Sequence, residues 1–212
     1  MSRKITLVYD LAVSRGSIAM FDGKSTLGKL VVEVGDISSD RLLPCIEALL
    51  NRNRLTARDL NEVVCTRGPG AYTGIRVGLA IAKGLGRAVG AELFGYPVFE
   101  VLLSAAEERK STAAVIDAGR REFLVTGHGV ETRHAMVQEK DLAEYLGDHK
   151  IKSVVIAADK DSTIKRTAAD LQIELIDASD NVTTLLNDLH FERKGRGSSL
   201  DPIYGRDLVR QV

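Results

Sequence analysis

Residues 63–90, VVCTRGPGAYTGIRVGLAIAKGLGRAVG, join a short apolar run, a glycine-rich turn and a long stretch of helical period. Val63 to Thr66 predicts a buried strand, Arg67 to Gly74 a loop, and Ile75 to Val89 a helix. A strand that feeds such a turn into a helix leaves free backbone N–H groups where an anion can be met. Gly68, Gly70 and Gly74 allow close approach of another backbone, and Thr73 is placed to cap the helix. The loop is not a Walker A motif, because Ile75 and Arg76 follow Gly74 where a lysine and a hydroxyl residue would stand. Its third glycine falls one place late for a dinucleotide fingerprint. A tight turn with a satisfied helix end is the plainer reading.

The helix itself carries a second signal. Gly74, Gly78, Ala82, Gly86 and Gly90 recur at every fourth position and build one ridge of minimal side chains. Interior glycines at 78, 84 and 86 each cost roughly 1 kcal/mol against alanine, so close packing on the ridge has to compensate. Ile75, Val77, Leu79, Ile81, Leu85 and Val89 spread apolar surface over most of the remaining circumference, and Arg76, Lys83 and Arg87 form a narrow polar stripe. A helix apolar nearly all round is expected to be buried on two sides. One side suits its own sheet. The other suits either the helix predicted at Leu42 to Leu50 or, with that helix, a second protein chain.

On the N-terminal side, Ile5 to Tyr9 reads as a buried strand ending at Asp10. Ser17 to Phe21 and Leu27 to Val34 complete a meander across the turn Asp22-Gly23. Leu42, Leu43, Ile46, Leu49 and Leu50 then sit at helical spacing, with Ser38, Ser39 or Asp40 as N-cap and Pro44 tolerable only near the first turn. Thr56 and Asp59 have capping-box spacing. Glu92 to Tyr96 is a further strand and Val98 to Glu108 a helix. The second half replays this order in shorter form. A hairpin of Ala113–Asp117 and Glu122–His128 leads to a strand at His134 to Val137. Helix Asp141–Leu146, strand Ser153–Ala157, helix Ser162–Leu171, strand Ile173–Ile176 and helix Asn181–Leu189 follow. Two successive units of this kind predict a duplicated α/β architecture with mixed sheets. We expect one unit over residues 1–104, a smaller one over 105–195, and a tail over 196–212 that packs back on the first.

Composition limits the function classes. The 212 residues carry 29 basic and 29 acidic side chains, which gives no overall field to gather nucleic acid. Cys45 and Cys65 match no metal spacing and read as core thiols of a reducing compartment. The N-terminal apolar run ends at Asp10, too short for a leader or a membrane span, so a cytoplasmic protein is expected. His128, His134, His149 and His190 make no helical metal spacing, and no nucleophile elbow is present. Asp10 and Asp117 each end the first strand of their half. Paired carboxylates there would suit metal-assisted phosphate chemistry, but Leu11-Ala12-Val13 and Ala118-Gly119-Arg120-Arg121 are poor phosphate loops. Arg193, Lys194 and Arg196 lie in a Gly/Ser-containing stretch that reads most simply as a linker.

GPGAYTGIRVGLAIAKGLG resembles the signature of the bacterial tRNA threonylcarbamoyladenosine biosynthesis protein TsaB (YeaZ) family, Gly-Pro-Gly-Ser-Phe-Thr-Gly-Leu-Arg followed by a Gly- and Ala-rich helix. SSDRLLPCIEALL, DAGRREF and PIYGRD resemble three further family fragments, in the family's order. Asp10-Leu11-Ala12-Val13 departs from the usual Asp-Thr-Ser-Thr, Ser38 replaces a histidine and Gly205 a leucine. The resemblance implies a two-domain actin-like, Hsp70-like ATPase fold. It also implies a non-catalytic subunit that pairs with the catalytic paralogue TsaD through its first two long helices. An ATPase, TsaE, engages the pair, which modifies adenosine 37 of tRNA. Carried onto this chain, the docking face comprises Leu42, Leu43, Ile46, Leu49, Leu50, Val77, Ile81 and Leu85, with Gly74, Gly78 and Ala82 from the small-residue ridge. The resemblance implies homodimers through the same surface when the partner is absent. It implies no metal or cofactor of the chain's own, but an adenine nucleotide at the junction, for which Gly68, Pro69, Gly70, Thr73, Gly74 and Arg76 are the candidates. The alternative is a stand-alone actin-fold ATPase or small-molecule kinase anchored on Asp10 and Asp117.

Overall fold

The computed structural model describes residues 3–13, 16–32, 39–128, 132–157, 163–193 and 200–209. Its first half opens with strands β1 (Ile5–Asp10), β2 (Gly16–Asp22) and β3 (Ser25–Val32), paired antiparallel as a meander. Gly23 takes a φ of 62° in the tight turn after Asp22. Helix α1 (Ser39–Arg52) follows, then strand β4 (Leu60–Thr66), helix α2 (Tyr72–Val89), strand β5 (Glu92–Tyr96) and helix α3 (Val98–Leu103). β4 runs parallel to β1 and β5 parallel to β4, so the sheet order is β3-β2-β1-β4-β5.

The second half repeats this plan. Strands β6 (Thr112–Gly119), β7 (Glu122–His128) and β8 (Thr132–Gln138) form the meander. Helix α4 (Leu142–Asp148), strand β9 (Ser153–Ile156), helix α5 (Thr163–Asp170), strand β10 (Glu174–Asp177) and helix α6 (Val182–Glu192) follow, and helix α7 (Gly205–Val209) ends the described chain. The sheet order β10-β9-β6-β7-β8 is the first sheet's order with β6 in the place of β1. The duplicated, mixed-sheet α/β architecture expected from the sequence is therefore present.

Strand β1 is buried along its whole length because helices cover both faces of its sheet. Register puts Leu7, Tyr9, Val63 and Cys65 on one face and Thr6, Val8, Asp10, Glu62 and Thr66 on the other. The first face receives α1 and α2, and the second receives α6. Helix α6, predicted within the second unit, thus packs against β1, β2 and β4 of the first sheet. Helix α3 joins α6 and also contacts β6 and β9, so one apolar cluster runs from Leu7 and Val64 through Leu102 to Ala114 and Leu124.

Local expectations hold with small shifts. Thr56 and Asp59 do form a capping box, around a single 3-10 turn at 57–59. Helix α3 stops at Leu103, not Glu108, because the N–H groups of Ala105 and Ala106 bond back only three residues and the Ser104 hydroxyl bonds the Val101 carbonyl. Pro44 sits at the sixth residue of α1, inside the helix. Ser38 and Lys194–Ser199 lie outside the described residues, and Ser39 and Asp40 are already helical. No helix among the described residues is long and apolar enough to cross a membrane.

Candidate functional site: the glycine loop and its helix

The loop from Arg67 to Ala71 is held from three directions. Arg67 N–H donates to the Tyr96 carbonyl (3.0 Å), Val98 N–H to the Gly68 carbonyl (2.9 Å), and Ala71 N–H to the Ala12 carbonyl (2.7 Å). The C-terminal segment closes the ring: Ile203 N–H donates to the Arg67 carbonyl (2.8 Å), and Arg67 Nη1 to the Asp201 carbonyl (3.1 Å). Gly68 has a φ of 97°, and a Cβ there would stand 2.3 Å from the Ile203 carbonyl oxygen. A Cβ on Gly70 would stand 2.0 Å from the Ala12 oxygen, and one on Gly74 1.8 Å from the Leu11 oxygen. These glycines are required by the chain's own carbonyls. Carbonyl oxygens also repel a phosphate, so Gly68, Gly70 and Gly74 do not form an open anion cradle.

Two expectations are corrected here. The helix N-cap is Ala71, without a side-chain cap bond, and Thr73 is an exposed residue of the first turn. The loop is drawn onto the exit of β1, which starts the helix earlier than Thr73 could cap it. The small-residue ridge, expected to face a partner, faces inward. Gly78 packs on the Tyr9 ring and Leu11, its carbonyl accepts the Tyr9 hydroxyl (2.8 Å), Ala82 is fully buried, and Gly86 meets Leu93. Leu42, Ile46, Leu49, Leu50 and Ile81 are likewise buried within this chain. Of the expected docking residues, Leu43 is 47% exposed, and Val77 and Leu85 are half-buried. The outward side of α2 instead carries Thr73, Arg76, Ala80, Lys83, Gly84, Arg87 and Ala88. Of the residues expected to meet a nucleotide, Thr73 and Arg76 are exposed, Gly70 is half-buried, and Gly68, Pro69 and Gly74 are buried.

Asp10 is fully enclosed. Its carboxylate accepts the Thr66 hydroxyl and the N–H groups of Ala12 (3.2 Å) and Val13 (3.3 Å). Burial pushes its carboxyl up to about 6, against the opposing pull of those three donors. Asp117 lies on the exposed hairpin end, where it accepts the Gly119 N–H (2.7 Å). Arg120 and Arg121 make the turn with φ of 55° and 60°. The two carboxylates are therefore in unlike environments. Among the described residues no group of three or more His, Cys, Asp and Glu is placed to hold a metal ion.

One polar cluster was not legible in the sequence. Glu62 Oε2 accepts from Thr6 Oγ1 and from His190 Nε2, both at 3.1 Å, while Lys4 Nζ reaches Oε1 at 2.6 Å. His190 Nδ1 lies 3.0 Å from the Tyr96 hydroxyl. Burial alone would raise the Glu62 carboxyl. The bonds and charges of His190 and Lys4 outweigh it and hold the group at about 2. The cluster pins α6 to β4 and β5.

A family model described as TsaD, tRNA N6-adenosine threonylcarbamoyltransferase, matches residues 34–143, about half of the chain. TsaB of Buchnera aphidicola subsp. Schizaphis graminum is 29% identical over 102 residues, 48% of each chain. The chain belongs to this family, in its TsaB/YeaZ form. TsaB of Bacillus subtilis is 26% identical over 110 residues, 52% of this chain and 48% of the relative. The chain spans about half the length of the curated relatives it matches. YeaZ from Pseudomonas aeruginosa, 21% identical, superposes with a TM-score of 0.62 over 95% of this chain and 99% of its own. That likeness extends the TsaB/YeaZ fold to both sheets. The Acidaminococcus fermentans (R)-2-hydroxyglutaryl-CoA dehydratase component A, 13% identical, shares the actin-like fold at a TM-score of 0.55 over 91% of this chain and 100% of that one.

Proposed function

We propose that this TsaB/YeaZ-family chain is a cytoplasmic, non-catalytic subunit in the synthesis of threonylcarbamoyladenosine in tRNA, and that it acts by pairing with a TsaD-type catalytic subunit. A TsaE-type ATPase engages the pair, and tRNA is met through the complex. The reading is supported by the family match and, above all, by how the glycine loop is used. Its close-approach positions are filled by the carbonyls of Leu11, Ala12 and Ile203, and Asp10 is committed to Thr66 and local N–H groups. A junction closed in this way leaves binding as the chain's contribution. An adenine nucleotide at the pair's junction belongs to the same reading only through Thr73 and Arg76, the two candidate residues that are exposed.

The test is gel filtration of the chain with the TsaD homologue of the same organism at micromolar concentrations, with ATP turnover measured for each component. Co-elution and background turnover by this chain alone are expected. Separate elution, or turnover by this chain alone that disappears with Asp10→Asn, overturns the proposal and favours the stand-alone ATPase.

A further inference from the structure

Strands β6 and β7 of the second sheet are joined by only two residues, Arg120 and Arg121, between the paired Gly119 and Glu122. Both take positive φ, 55° and 60°. A two-residue turn of this kind favours Asn-Gly, and arginine is uncommon in the left-handed region. Both side chains face solvent, that of Arg121 at 86% exposure. Among the described residues the Arg120 side chain has no partner, and Arg121 approaches only Glu139, with Nε 3.8 Å from Oε2. The chain's own packing therefore does not account for two arginines in a turn that disfavours them. Backbone strain kept in this way points to a use outside the fold.

Beside the turn lies a crevice of about 490 Å³ lined by Arg121, Gln138, Glu139 and Lys140. Its carboxylates are committed within the chain. Glu139 Oε1 accepts the Thr163 hydroxyl (2.5 Å), and Glu122 accepts Gln138 Nε2 (2.8 Å) and Arg206 Nη2 (3.1 Å). Arg166 reaches the same floor, with Nη2 3.4 Å from Thr163 Oγ1. Four exposed cations, Arg120, Arg121, Lys140 and Arg166, thus stand at this end of the sheet, with Asp117 and Asp141 as the exposed carboxylates. In a chain of zero net charge this is a local excess of positive charge.

We infer that the crevice and the Arg120-Arg121 turn form a phosphate site, and that its ligand is the sugar-phosphate backbone of tRNA. This rests on the proposed role in tRNA modification and gives the chain a direct share of the tRNA contact. The turn offers no run of free backbone N–H groups, so the grip comes from side-chain charge, as in contacts that position a nucleic acid without reading its sequence. Among the described residues the lining holds no aromatic or aliphatic side chain. A free nucleotide would need such surface for its base, and a protein partner would need it for the centre of its interface. A polyanion laid across several exposed cations needs neither.

The experiment measures binding of an unmodified tRNA transcript by fluorescence anisotropy at about 50 and about 200 mM NaCl. The 212-residue chain is used alone and paired with the TsaD homologue of the same organism. Wild type is compared with Arg120→Asn/Arg121→Gly, with Lys140→Gln, and with Arg109→Gln/Lys110→Gln. The last pair is exposed just before β6, about 25 Å away along that strand, and serves as the charge control. Arg120→Asn/Arg121→Gly should melt no lower than wild type, because it supplies the residues the turn prefers. It should bind tRNA about tenfold or more weaker at low salt, with the slope of log K against log salt shallower by about one to two. Lys140→Gln should lose about threefold or more, and the control should stay within about twofold. If the wild type pairs and both site variants bind tRNA within about twofold of it, the inference fails while the pairing stands. If the wild type does not pair, the proposed function fails, and the chain alone decides the site: the same losses uphold it, and equal or absent tRNA binding overturns it. Calorimetry with ATP separates the other source of phosphate. ATP binding abolished by Arg120→Asn/Arg121→Gly, with tRNA binding unchanged, assigns the crevice to a free nucleotide. Loss of pairing by that variant, with tRNA binding by the chain alone unchanged, assigns the turn to a protein partner. Either result overturns the inference.

Discussion

His190 Nε2 stands 3.1 Å from Glu62 Oε2, and the two side chains come from elements 128 residues apart. Both are buried, so neither can exchange this partner for water. A carboxyl held at about 2 is ionised at neutral pH and only accepts, which places the imidazole proton on Nε2 and, in the neutral ring, leaves Nδ1 to accept the Tyr96 hydroxyl. Because the Glu62 carboxyl titrates lower in the folded chain than in the unfolded one, its contribution is fully present above the ordinary value of 4.5 and is lost as pH falls toward 2. Glu62→Gln should therefore destabilise by about 1–3 kcal/mol at pH 7. It should also flatten the stability profile below pH 4.5. Urea unfolding across the acid range checks both.

Asp10 carries the opposite sign. Its carboxyl sits at about 6 in the folded chain against an ordinary 3.8, so the folded state holds the proton more tightly and the wild type loses stability as pH rises through that window. Asp10→Asn removes the titration. The variant's stability relative to wild type should improve steadily from about pH 4 to about pH 6.5. Unfolding free energies at several pH values read it; a difference that stays flat, or falls, contradicts the enclosure of Asp10.

Glycines of helix α2 should separate by side. Gly84→Ala meets nothing and should stabilise by roughly 1 kcal/mol through helix propensity. Gly74→Ala drives a methyl onto the Leu11 carbonyl and should cost about 3 kcal/mol or more. Gly78→Leu, pressed on Tyr9 and Leu11, is expected to lose the folded chain itself, not merely its pairing. Thermal melts of the three variants decide the pattern.

The C-terminal segment ties the glycine loop to the second sheet. The Tyr204 ring packs on Tyr72 with centroids 5.3 Å apart, Arg206 pairs with Glu122 at 3.1 Å, and α7 lies on β8. Tyr204→Ala should cost about 1 kcal/mol. It should also speed amide exchange of Ala71, whose loop loses part of its support. Hydrogen exchange by mass spectrometry on the peptide spanning residues 67–72 would show this, and protection equal to wild type would contradict it.

Most element types and their order were legible, because strand and helix periods are local properties of the chain. The repeat of meander, helix, strand, helix and strand announced two sheets before any contact was known. The capping box at Thr56 and Asp59 and the hairpin at Arg120 and Arg121 were local as well.

Tertiary structure decided the rest, because periodicity shows that a helix has two apolar sides without saying what covers each. A ridge of glycines demands a close neighbour but does not name it; here the neighbours are Leu11, Tyr9 and Leu93, while Gly84, alone of the interior glycines of α2, meets none among the described residues. The packing of α6 on the first sheet was hidden for the same reason, since Glu62 and His190 carry no mutual signal along the chain. Amino-acid order fixed which segments could bury apolar surface. Only the assembled sheets fixed which side of α2 was left for something else.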